Sequence, residues 1–201
     1  MRAARLPGWV FSATAALLAL SAKCAPVEVA VPVPSSGATA QVFFSPTGRT
    51  EDAIAAVIGS AVRRVWIAGY YFTSAPIAKA LHQAHERHVD VRVVLDRSQA
   101  TQRYSSASYF YNQGVPVKID ARYPVMHHKF VVIDSDVVGL GSMNFTRSGS
   151  SQNAENFNLF RRWPALAETY AAEFSRLEGE SEPYRPGMTF SQPGSTEALM
   201  R

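Results

Sequence analysis

One cysteine, Cys24, stands in the 201 residues. That excludes an intrachain disulfide and any cysteine cluster for zinc, so the fold has to rest on its apolar core. Long apolar runs are also missing: the stretch from about Leu6 to Ala22 is short for a membrane span and is broken by Pro7, Gly8, Ser12 and Thr14. No internal repeat is present, which removes the solenoid and propeller architectures. The turn "SPTGRT" lacks the lysine of a phosphate-cradling P-loop. The "HQAHERH" segment places His82, His85 and His88 three apart, one residue short of the zinc-protease spacing. These three read as a solvated or capping set near a helix end, where cations suit the dipole.

What is there belongs to a globular protein, with 47% hydrophobic and 18% charged residues, enough for one substantial domain. Arg2 and Arg5 precede the short apolar stretch in the layout of a secretory leader, expected to span residues 1–25 and to be cleaved near Cys24 or Ala25, with an uncleaved anchor as the alternative. A Pro-rich linker over 26–40, a domain over 41–179 and a flexible polar tail over 180–201 complete the expected organisation. The formal charge is +4, and removal of Arg2, Arg5 and Lys23 with the leader takes away three of those charges. Attraction for a polyanion must then be local, with Arg63, Arg64, Arg97, Arg103, Arg122, Arg147, Arg161 and Arg162 as candidates beside the plainer role of solvated surface.

The pattern predicts strands at Gln41–Pro46, Arg64–Thr73, Val91–Asp96 and Val115–Asp120, with helices between them. Thr50 is expected to cap the first helix, with Glu51 and Asp52 favouring its first turn and Ile54, Val57, Ile58 and Ala61 facing inward. Ser74 and Pro76 open the second, whose apolar face is Ile77, Ala80, Leu81 and Ala84. A third is expected from Ser105 to Asn112. Alternation of this kind calls for parallel strands covered by helices. After it come three runs separated by short turns, "HHKFVVID", "VVGLGSM" and "AENFNLFR", and a helix from Pro164 to Leu177 with Leu166, Tyr170, Phe174 and Leu177 inward. There the sheet should gain antiparallel pairs, giving an α/β fold with a mixed, largely parallel sheet flanked by helices on both faces. The aromatic runs "YYF" (Tyr70 to Phe72) and "SYFY" (Ser108 to Tyr111) could stack nucleobases, but core packing is the expected role of most of them.

Within "MHHKFVVIDSDVVGLGSMNF", side-chain alternation puts His127 and Lys129 on one face of a strand, with His128 and Asp134 on the other. Ser142 and Asn144 share a face on the returning segment, and Gly139 and Gly141 permit close approach. An imidazole, an ammonium, a hydroxyl and a carboxamide converging at one sheet end suit a phosphate. Lysine, asparagine and serine donate to its oxygens, while the imidazole attacks phosphorus or protonates a leaving oxygen. No acidic pair or histidine cluster joins them in this stretch, so neutralising charge falls to the protein's own cations.

The pattern His127-x-Lys129, Asp134 and Gly141-Ser142-x-Asn144 resembles the HKD motif of the phospholipase D superfamily. Within it the chain is most similar to small exported bacterial endonucleases of the Nuc type, with likeness from about Val42 to Leu177. The resemblance implies that His127 is nucleophile or general acid and that Lys129, Ser142 and Asn144 bind phosphate. It also implies that Glu155 orients the histidine, as a carboxylate on one ring nitrogen fixes the tautomer at the other. Asp134 belongs to the motif's catalytic set, yet parity turns it away from His127, so its expected role is to brace the turn. No other histidine has a lysine two residues later; since phosphohistidine chemistry needs two imidazoles, the resemblance implies a homodimer with two motifs face to face. The expected function is a metal-independent, cofactor-free phosphodiesterase, periplasmic or secreted: a nonspecific endonuclease hydrolysing DNA first, with RNA as the secondary substrate. A phospholipid substrate is the first alternative and a non-catalytic nucleic-acid-binding protein the second. With the leader removed, no stable membrane association is expected.

Overall fold

A computed structural model describes residues 30–34 and 37–190. The expected leader, part of the linker and the tail beyond residue 190 lie outside those residues. The described residues from Val31 on form one unit.

Three strands rich in Val, Ile and Leu form the parallel centre: β2 (Arg64–Gly69), β3 (Asp90–Asp96) and β4 (Val117–Asp120). Buried on both faces, they read as continuous apolar runs. β5 (Lys129–Ile133) lies antiparallel to β2, and β6 (Val137–Gly141), β7 (Glu155–Arg161) and β1 (Thr39–Ser45) extend the sheet antiparallel on that side. With β8 (Glu182–Pro183) on β4, the order is β1-β7-β6-β5-β2-β3-β4-β8. The sheet is mixed, as expected, but not largely parallel: β2–β3 and β3–β4 are its two parallel pairings, and the other five are antiparallel because β5, β6, β7 and β1 join through hairpins and a returning edge strand. β1 is the departure: it does not join the parallel set but closes the far edge against β7, because its partner is supplied a hundred residues later in the chain.

Helices cover both faces. On one lie α1 (Thr50–Gly59), α2 (Ala75–Glu86) and α3 (Ala107–Asn112), whose Ile54, Ile58, Ile77, Leu81 and Phe110 pack on Val65, Ile67, Val93, Val131 and Ile133. After a short α4 (Arg147–Ser151), α5 (Pro164–Glu180) lies on the other, packing Ala167, Ala171, Phe174 and Leu177 on Ala68, Val94, Phe130 and Val132. Phe174 stacks on Trp66 with centroids 5.4 Å apart, and truncating it to alanine would cost about 3–5 kcal/mol. Ser74 caps α2 as expected, its Oγ accepting from Ile77 N at 3.2 Å. The expected cap of α1 is off by one: Arg49 is the N-cap, in the left-handed region at φ 48°, and Thr50 is the first helical residue, buried against Ser45.

Residues 180–190 depart from the expectation of a flexible tail. Glu182 and Pro183 pair with β4, and Tyr184 is buried with its hydroxyl 2.7 Å from Ser108 Oγ. Met188 and Phe190 pack on the core. An aromatic and two apolar side chains supply the burial that its polar composition hid.

Candidate active site

Strand register gathers the site. Because β5 runs antiparallel to β2, its first residue Lys129 sits opposite Gly69, the last of β2, so the residues just before β5 lie beside those just after β2. The Tyr70 and His127 rings meet there, 4.7 Å between centroids and 55° between planes. Phe130 pairs with Leu140 and Gly141 with Phe157, which brings the end of β6 and the start of β7 to the same sheet edge. Ser142 and Glu155 arrive with them.

His127 is exposed and stands just before β5 rather than within it. Its pKa is lowered from that of a free histidine, first by desolvation and then by the Lys129 charge, while Asp96 opposes the shift. Lys129 is buried; its Nζ donates to the His127 carbonyl at 2.9 Å and lies 5.4 Å from the centroid of the Tyr70 ring. Burial lowers its pKa as well, against the pull of Glu155. His128 faces the other side, as alternation requires, with its ring 5.5 Å from that of Phe130 and Nε2 3.3 Å from Glu173 of α5.

Ser142 and Glu155 form a local network: Ser142 Oγ donates to Glu155 Oε2 at 2.5 Å and accepts from Asn156 N at 3.0 Å. Asn153 Nδ2 donates to the other Glu155 oxygen at 3.2 Å. The expected role of Glu155 as the group that orients His127 is therefore not what the single chain displays; its carboxylate holds Ser142. Asn144 Oδ1 is buried without a hydrogen-bond partner in the described chain. Gly141 is tight for a clear reason, since a Cβ there would lie 2.2 Å from Asn156 O. The close approach anticipated at Gly141 is made by β7.

Asp134 stands apart, at the far end of β5 from Lys129. One of its oxygens, Oδ1, accepts from Arg63 N at 2.7 Å and Arg64 N at 3.1 Å, and Oδ2 accepts from Val62 N at 3.1 Å. At φ 51° it ties the β5–β6 turn to the start of β2. Of the six motif residues, it alone is not at the His127 edge. His82 bonds Tyr109 Oη through Nδ1 at 3.1 Å, and among the described residues no group of three or more His, Cys, Asp or Glu is gathered as for a metal.

Two neighbours of His127 were not placed at the site from the sequence, where Tyr70 figured only as a member of the aromatic run Tyr70 to Phe72. Tyr70 follows β2, and Asp96 ends β3, buried, with Oδ2 accepting from Met126 N at 2.8 Å and Oδ1 from Ser98 N at 2.9 Å. Both stand at carboxyl ends of parallel strands, where sites of α/β sheets collect, and that was the available signal.

A fold of this order, with a histidine and a buried lysine at the meeting of strand ends, defines a class. Residues 54–178 match the family described as "Cardiolipin synthase, PLD-like domain". The chain belongs to the phospholipase D superfamily and is of the Nuc type. It is similar to Nuc from Salmonella typhimurium, a phospholipase D family member, with TM-score 0.71 and 33% identity over 74% of this chain and 99% of that one. A phospholipase D of Rickettsia conorii is 35% identical over 128 residues, 64% of this chain and 63% of that protein. A mitochondrial cardiolipin hydrolase of Xenopus laevis is 35% identical over 123 residues, 61% of this chain and 58% of that protein. The chain thus spans about three-fifths of the length of the curated relatives it matches.

Proposed function

We propose that the protein is an exported phosphodiesterase that hydrolyses DNA or RNA without a metal, through a phosphohistidine, in a site shared by two copies of the chain. What carries the proposal is the meeting of His127, exposed and next to the buried Lys129, with the strand ends that bear Ser142 and Glu155. His127 attacks phosphorus as one P–O bond breaks. His127 of the second copy gives its proton to the departing oxygen, then takes one from the water that splits the P–N bond, leaving a phosphomonoester and free histidine. Lys129 and Asn144 donate to the nonbridging oxygens, with Ser142 positioned beside them; one well-placed donor contributes about 3 kcal/mol, so the set is needed together.

A phospholipid diester is the second reading, supported by the names of the relatives from Rickettsia and Xenopus. Plasmid DNA, RNA and cardiolipin vesicles incubated in EDTA with the wild type and His127→Ala separate the two. The expected result is nucleic-acid cleavage by the wild type, reduced about 10⁴-fold or more in the variant. Turnover of lipid with nucleic acid left intact would instead establish the second reading.

A further inference from the structure

We propose that the cleft of about 410 Å³ beyond the ends of β3 and β4, walled by Tyr70 and Phe190, receives one nucleoside of the scissile phosphodiester. This rests on the nucleic-acid reading above and gives it a place on the surface.

Position comes first. Tyr70 lines the cleft and also lies against the His127 ring, so the cleft begins one aromatic ring away from the attacking nitrogen. Val125, two residues before His127, lines it as well. Asp96 ties the two regions together, since it borders the cleft while holding the Met126 amide at 2.8 Å. A diester bound at His127 has two arms, and one passing Tyr70 enters this space. The volume falls within the range of small-ligand pockets.

The lining chooses among possible arms. Arg97, Ser98 and Thr101 line it with a guanidinium and two hydroxyls, and the Asp96 carboxylate spends both oxygens on backbone N–H groups. An acyl chain would strip water from these groups without replacing their hydrogen bonds. A nucleoside offers hydroxyls and heterocyclic nitrogens to them, and a flat face to Phe190 or Tyr70, contacts that tolerate any base. Phe190 reaches the cleft because residues 184–190 fold back onto the domain, which gives that segment a use.

The test compares thymidine 5′-(p-nitrophenyl) phosphate with bis(p-nitrophenyl) phosphate, which has no nucleoside, on wild type, Thr101→Trp and Phe190→Ala. Thr101 is exposed, so the tryptophan fills the cleft without disturbing the core, whatever Phe190→Ala does to folding. The expected result is a fall of about tenfold in the ratio of kcat/KM values, nucleoside ester over plain ester, carried by KM. An unchanged ratio in Thr101→Trp, including the case where both esters slow by the same factor, overturns the assignment. Plasmid DNA run with the wild type keeps the two levels apart. DNA cleavage with an unchanged ratio removes only the cleft, whereas no DNA cleavage removes the nucleic-acid reading and the cleft with it.

Discussion

His127 sits between opposing influences. Desolvation, the Lys129 ammonium and His128 all lower its pKa, and Asp96 raises it. Tyr70, whose own pKa is pushed up to about 12 by its bond with Tyr71, stays neutral beside it. With the folded pKa below the ordinary 6.5, the imidazole is mostly neutral at neutral pH, as a nucleophile must be. The sign for stability follows: His127's share is complete above pH 6.5 and is lost as pH falls below that value, because protonation favours the unfolded chain. Asp96→Asn removes the one opposing charge. Its expected effect is a further drop in the His127 pKa, read from the imidazole proton shifts by NMR, with the acid limb of kcat/KM moving to lower pH. An unmoved or raised value would show that Asp96 acts only by holding Met126. Alternation alone separated His127 from His128 in the sequence. Asp96 was hidden because its tie to Met126 spans thirty residues and goes to a backbone amide, for which no side-chain pattern exists.

At the scale of elements, Asp134 links two strands and a turn. Three backbone N–H groups of residues 62–64 end on its carboxylate, and Arg64 Nε donates to its carbonyl at 2.6 Å. Hydrogen bonds to a charged acceptor contribute roughly 1.5–3 kcal/mol each in favourable cases. Asp134→Ala is therefore expected to destabilise the fold by about 2–4 kcal/mol, seen as a lower midpoint in urea, with kcat near wild type at a temperature where the variant is folded. Loss of kcat in a fully folded variant would return Asp134 to the chemistry. Parity in the sequence pointed to this role because the strand continues unbroken from Lys129 to Ile133. The helices were similarly legible, since Ser74 with Pro76 and the spacing of Ile54, Val57 and Ile58 are local signals. β1 was not, for its direction is set by β7 across the chain, and neither was β8, whose two residues carry no alternation to read.

For the whole molecule, the proposed phosphohistidine route turns on the count of imidazoles. Besides His127, the described histidines are committed or remote: His82 bonds Tyr109, His128 faces Glu173, and His85 and His88 stand at the far end of α2 and just beyond it. If a phosphohistidine forms and a second imidazole protonates the leaving oxygen, that imidazole belongs to a partner, and a chain without it disables its mate. Mixing wild type with an equal amount of His127→Ala, after subunit exchange, leaves about one quarter of the pairs with two histidines. Activity per total chain should then be about one quarter of the wild-type value, with native mass measurement confirming two chains per particle. Activity of about one half would mean that each chain works alone, and the proton for the leaving oxygen would have to come from another group beside His127, such as the Tyr70 phenol.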